Sequence, residues 1–260
     1  MKSELFTRFE TAIRSLSDDL LASKTGDLVI KMLIERDGDI EVCYVPFEYV
    51  NTEAKVVIVG ITPGMTQMVN ALREARNQII KGADTLTILK AAKQTGAFSG
   101  AMRPNLVSLL DSVGLNQWLG LKSCDQLFSS ASALVQTTSA LQNAVFIGGD
   151  NYSGTPNMLR HPLLRKQLVT YFGADAKRMK NAVFIPLGDK VAEALHFLAD
   201  QGMLPRDRVL DGLPHPSGAN AERIAYFLGR KNRNDLSAKT NPEKIDRARE
   251  SMLRRVAALG

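Results

Sequence analysis

The stretch Val56-Val57-Ile58-Val59 constrains the fold of this chain more than any other. It is wholly apolar and β-branched, with no alternating polar face. A strand of that kind is buried on both sides, which requires helices above and below it. Residues 133–138, 182–187 and 208–214 are candidates for the second, third and fourth strands. Helical patterns stand between these runs. Thr66 opens one to about residue 81, and 85–93 adds a turn or two. Pro104 suits the first turn of another that runs to Val113, with Gly114 as its stop. Further helices are predicted over 158–172 and 191–201, after the capping position Asn220, and from Asn241-Pro242 to about residue 259. Residues 4–22 carry a helical stripe of Leu5, Phe9, Ile13, Leu16, Leu20 and Leu21. This alternation predicts an α/β fold, a three-layer αβα arrangement with a central, mostly parallel four-stranded sheet. Residues 39–46 suit a peripheral strand or an extended arm. Residues 145–147 suit a short strand or part of the turn-rich loop 148–157. With no internal repeat and no low-complexity linker, residues 1–260 read as a single domain. It would carry an N-terminal helical extension over about 1–50 and a basic C-terminal helix over about 241–260.

Composition narrows the class. No apolar run approaches the length of a membrane span, and the charged first ten residues do not suit a signal peptide, so a cytoplasmic protein is expected. Cys43 and Cys124 are too few for a four-cysteine iron–sulfur cluster, and a structural disulfide is not expected. The net charge is +6. From Gly229 onward, nine basic residues face four acids, a local excess of five (9 − 4). Such a run suits either a solvated helix face or a surface that meets phosphates.

Two short motifs lie at predicted strand ends. Gly60-Ile61-Thr62-Pro63-Gly64 follows the first apolar run, and His215-Pro216-Ser217-Gly218-Ala219-Asn220 follows 208–214. In open α/β sheets the carboxyl edge of the strands is where ligands bind. Between them lie Ala97-Phe98-Ser99-Gly100 and the leucine-rich stretch that starts at Asn105. In this order the segments resemble the signatures of the uracil-DNA glycosylase superfamily, over roughly residues 56–231. The chain departs from that pattern in two places. Ile61 and Thr62 stand where branches of the superfamily carry glutamate or asparagine, and Ser139 aligns with a base-reading asparagine.

The resemblance implies a monofunctional DNA glycosylase that hydrolyses the N-glycosidic bond of a flipped-out uracil or modified pyrimidine, in base-excision repair or in defence against phage with modified DNA bases. Water positioned near Thr62 would attack the sugar, and His215 would donate a hydrogen bond to the departing base. Phe98 would stack on that base. Ile61, Ser139 and Asn151 would line its pocket, with Asn143 and Asp150 as alternatives for the missing amide. Ser217, Gly218, Asn220, Arg223, Arg230, Lys231 and Arg233 would hold DNA, duplex or single-stranded. His161 and His196 read as structural. This chemistry requires no metal and no cofactor, no lysine within the motifs suits an imine-forming nucleophile, and a monomer is expected. Two other classes remain open: a DNA-binding protein of the same fold without catalysis, and a nucleosidase-like hydrolase of small nucleotides.

Overall fold

In the computed structural model, residues 4–23, 26–96 and 102–259 are described. Phe98 lies outside them. The fold is α/β. Its strands are β1 (Leu33–Asp37), β2 (Ile40–Cys43), β3 (Val56–Gly60), β4 (Val135–Ser139), β5 (Ala144–Ile147), β6 (Asp150–Asn151) and β7 (Val183–Pro186). They form two sheets, β1-β2-β5-β6 and β4-β3-β7. The chain divides into two compact units, each assembled from three segments. The first holds the described residues of Met1–Val50, Ile61–Ala97 and Thr138–Asp175, and the second holds those of Asn51–Gly60, Phe98–Thr137 and Ala176–Gly260.

The first unit is built on the antiparallel sheet. β1 and β2 form a hairpin turned at Gly38, whose φ of +56° lies in the region glycine enters without strain. β2 then pairs with β5, so the segment expected to be a peripheral strand or an arm is an inner strand of this sheet. The predicted stripe over 4–22 forms two helices, Glu4–Arg14 and Asp18–Ser23. Their buried faces supply Phe6, Phe9, Ile13 and Leu21, and the Phe9 ring stacks on Tyr44 with centroids 4.7 Å apart. Helices Met65–Ile80 and Thr85–Gly96 add Met68, Leu72, Ile79, Ile88 and Leu89 to the same core. Each such side chain contributes about 1.5–3 kcal/mol relative to exposure. The helix expected over 158–172 starts late, at Pro162, whose missing N–H costs nothing in a first turn. It runs to Gln167 and continues as a wider π-helical turn over Leu168–Gly173.

In the second unit β3 and β7 run parallel in the register Val56–Val183 to Val59–Pro186, and all residues of both strands are buried. Here the reading of Val56–Val59 as a strand buried on both faces holds. The central parallel sheet of four strands does not. The parallel sheet has three strands, and the expected fourth, over 208–214, is reduced to one bridge between Val209 and Phe184. Leu210 N–H donates to Phe184 O at 2.8 Å, after which pairing stops. Gly212, with φ of +124°, turns the chain away, and Pro214 and Pro216 have no N–H to give a ladder. The C-terminal helix, Pro242–Ala257, begins as expected, with the Asn241 side chain accepting from Lys244 N–H at 2.9 Å. No helix among the described residues is long and apolar enough to cross a membrane.

Candidate functional site

Within the second unit, parts of both sequence motifs reach one sheet edge. β3 ends at Gly60, the first residue of the first motif. Beside it Leu187 N–H donates to Val59 O at 2.9 Å, which extends the β3–β7 pairing by one residue. Gly188 follows, with φ of +93°, and precedes the helix Asp189–Asp200. The His215 ring packs over Gly188, where a β-carbon would stand 3.8 Å from its Cβ and Cδ2.

His215 is half-buried, and its imidazole is held in one tautomer. Ser217 N–H donates to Nδ1 at 3.3 Å, so that nitrogen is the unprotonated acceptor and the proton of the neutral ring is on Nε2. Burial pushes the imidazole pKa below its ordinary value. At neutral pH the side chain is therefore an uncharged donor through Nε2–H. The turn that carries it is pinned from outside the motif, since Asn105, on the helix Met102–Ser112, donates from Nδ2 to Pro216 O at 3.0 Å.

The rest of the second motif is internally bonded. Asn220 Nδ2 donates to Ser217 Oγ at 3.1 Å, and Asn220 Oδ1 accepts from Arg223 Nη1 at 3.1 Å. Asn220 precedes the helix Ala221–Phe227, yet its side chain makes no cap hydrogen bond there, contrary to the expectation. Its amide is committed to Ser217 and Arg223 instead. Arg223 also donates to Lys239 O at 3.3 Å, so its partners are neutral and its charge is uncompensated by them. Gly218 is exposed.

The basic stretch is more neutralised than its sequence implies. Lys231 Nζ pairs with Glu222 at 2.8 Å. Glu222 also accepts from Ser237 and Thr240, and these donors, led by Lys231, hold its carboxyl far below the usual range. Arg233 pairs with Glu243 and, at 3.5 Å, with Asp246. Of the predicted phosphate contacts, Arg223 and Arg230 are exposed cations without an acidic partner among the described residues.

In the first unit lie the remaining residues of the first motif and three of the predicted base contacts. Thr62 is half-buried and doubly engaged. Its hydroxyl donates to Asn143 O at 3.0 Å and accepts from Val145 N–H at 3.1 Å, tying the turn to β5. The proton is spent on a carbonyl, so Thr62 retains only a lone pair for a water. Ile61 is half-buried, and its carbonyl accepts from Leu141 N–H at 2.9 Å. Ser139, half-buried, ends β4. Asn151 is exposed on β6, and its Oδ1 accepts from Met65 N–H at 2.8 Å, so it caps the helix that follows the first motif. Asn143 is buried, with its amide donating to Gln167 Oε1 at 3.1 Å.

Phe98 falls outside the described residues. His161 immediately precedes the helix at Pro162, with Nε2 3.7 Å from Asp37, and His196 Nε2 lies 3.1 Å from Asp211. Both cysteines are free and buried, and no group of three metal-binding side chains occurs among the described residues. The motifs assign no role to Gly188 or to Asn105, which enters them only as the start of the leucine-rich stretch. A lone polar residue opening a leucine-rich helix, and a glycine directly after a buried strand, were the available signals.

The chain is 32% identical over 231 residues to the uncharacterized protein YoxB of Bacillus subtilis (strain 168), spanning 88% of this chain and 90% of YoxB. It belongs to the family of that protein. No family profile matches the chain, and no solved structure matches it.

Proposed function

We propose that the protein is a monofunctional DNA glycosylase, a divergent relative of the uracil-DNA glycosylases, acting on uracil or a modified pyrimidine. One observation supports this above the others: His215 is held as a neutral Nε2–H donor at the strand edge where the first motif begins. When the bond between base and sugar breaks, its electron pair leaves with the base, and negative charge grows on the base oxygens. A fixed, uncharged donor binds that charge more tightly than it binds the intact base, and such a donor contributes about a hundredfold to a thousandfold in rate. Water supplies hydroxide to the sugar carbon and releases a proton to the base or solvent. The Thr62 hydroxyl has no proton left to give and is no strong base, so its part is to accept one hydrogen bond from that water, with backbone groups holding it further. The reaction calls for no metal and no cofactor. DNA, duplex or single-stranded, is the expected partner of a monomer, in repair or in defence against phage.

Mass spectrometry of bases released from natural and phage DNAs tests this. Release of one base by the wild-type chain and its loss in His215→Ala is the expected result. Release of nothing across the panel sinks the proposal. The engagement of Thr62 favours a second reading, a DNA-binding protein without catalysis. Salt-sensitive binding to abasic or flipped sites, with no base freed, would select it.

A further inference from the structure

We infer that Asn105 is a positioning residue that sets the tautomer and aim of His215, an inference that rests on the proposed role of that imidazole. The geometry is a two-step relay through one peptide group. The Pro216 carbonyl and the Ser217 N–H belong to the same planar unit, and in a trans peptide they point in opposite directions. Asn105 Nδ2 donates to the carbonyl end at 3.0 Å, and the N–H end donates to His215 Nδ1 at 3.3 Å. Rotation of that plane would break both bonds together. Held as it is, the plane presents a donor to Nδ1, which excludes a proton from that nitrogen and leaves it on Nε2. Asn105 reaches across 111 positions of sequence from a helix whose Leu106, Leu109 and Leu110 are buried, so the anchor is rigid. The His215–Ser217 contact alone spans two residues of a loop and has no such support. Ligating histidines in metal sites are aimed by partners of their second ring nitrogen, and the same physics applies to a donor imidazole.

The full chain labelled with ¹⁵N-histidine reports this directly. It has three histidines, His161, His196 and His215, so a His215→Ala spectrum assigns the third. At neutral pH the wild-type imidazole of His215 should show a protonated Nε2 and an unprotonated Nδ1. In Asn105→Ala, and in the isosteric Asn105→Asp, which removes the donor, that pattern should move toward a mixture of tautomers, while the other two rings stay as they were. Base release should fall in kcat by about tenfold to a hundredfold, a part of the full effect of losing such a donor. Emission from Trp118, the one tryptophan in the sequence, verifies that each variant is folded. An unchanged His215 spectrum in a folded variant of either kind overturns the inference. The spectrum needs no substrate, so it separates the two claims. A tautomer shift in the variants with no base release by the wild type sinks the glycosylase alone, and base release by the wild type with an unmoved spectrum in the variants sinks the role of Asn105 alone.

Discussion

Thr62 holds the first motif against β5 through both of its hydroxyl bonds. Valine has nearly the same shape and neither bond. Thr62→Val should therefore lower stability by about 1–3 kcal/mol, because a carbonyl and an N–H in a half-buried site lose their partners. Serine keeps both bonds, and Thr62→Ser should lose about 1 kcal/mol or less, the worth of a methyl. Urea unfolding of the pair decides the matter. A valine variant as stable as the wild type would mean that the hydroxyl is free for other work. His215 ties stability to pH. Burial depresses its folded pKa below the unfolded value near 6.5, so the unfolded chain takes up the proton first. Its contribution to stability is full above about pH 6.5 and is lost as pH falls toward the folded value. On the proposed reading, the acid limb of kcat/KM should lie below the ordinary imidazole range for the same reason. An acid limb at or above that range would contradict the burial of the ring.

Among the elements, the helix Met65–Ile80 depends on a residue far away in sequence. Gly64 N–H is satisfied by Gln67 Oε1 at 3.0 Å, and Met65 N–H by Asn151 Oδ1 at 2.8 Å. The fit is close, since a β-carbon on Gly64 would stand 3.2 Å from that same oxygen. Asn151→Ala should cost about 0.5–2 kcal/mol, as removal of an N-terminal cap does, with a fall in helical circular dichroism confined to partial unfolding. No loss of stability would show that the contact carries nothing. Such long-range contacts are concealed in the sequence. β3 and β7 were legible because their burial is written locally, as unbroken runs of Val, Ile and Phe. The four-stranded sheet was not. β1 reads Leu-Ile-Glu-Arg-Asp, half-exposed and charged, and its strand character comes from a hairpin partner rather than from hydropathy. β2 finds its second partner, β5, about a hundred residues on, a pairing that no local pattern encodes. The expected fourth parallel strand failed for a local reason that was visible. Gly212 and Pro214 are punctuation inside the run 208–214, and Pro216 follows just beyond it. The candidate site was legible in its histidine and its order of motifs. Asn105 and Gly188 were not, because their roles follow from which segments meet at the end of β7.

For the molecule as a whole, charge on paper differs from charge on offer. Five of the nine cations after Gly229 have an acidic partner: Lys231, Arg233, Lys244, Arg254 and Arg255. The other four, Arg230, Lys239, Arg247 and Arg249, are exposed and have none among the described residues. A cation already paired must give up its carboxylate before it can meet a phosphate, and the exchange releases little net counterion. A free one releases its share outright. On the proposed reading, the slope of log affinity for duplex DNA against log salt should therefore count the free cations and not the total. Arg230→Gln should flatten that slope by about 0.9, the amount for one phosphate contact. Lys231→Gln should leave it nearly unchanged, although it removes the same charge from the same stretch. Binding measured by fluorescence anisotropy over a range of salt separates the two. If Lys231→Gln flattens the slope as much as Arg230→Gln, the Glu222 pair opens on contact with DNA. The acidic partners then do not restrict which cations bind, and the DNA-facing surface is the whole basic stretch.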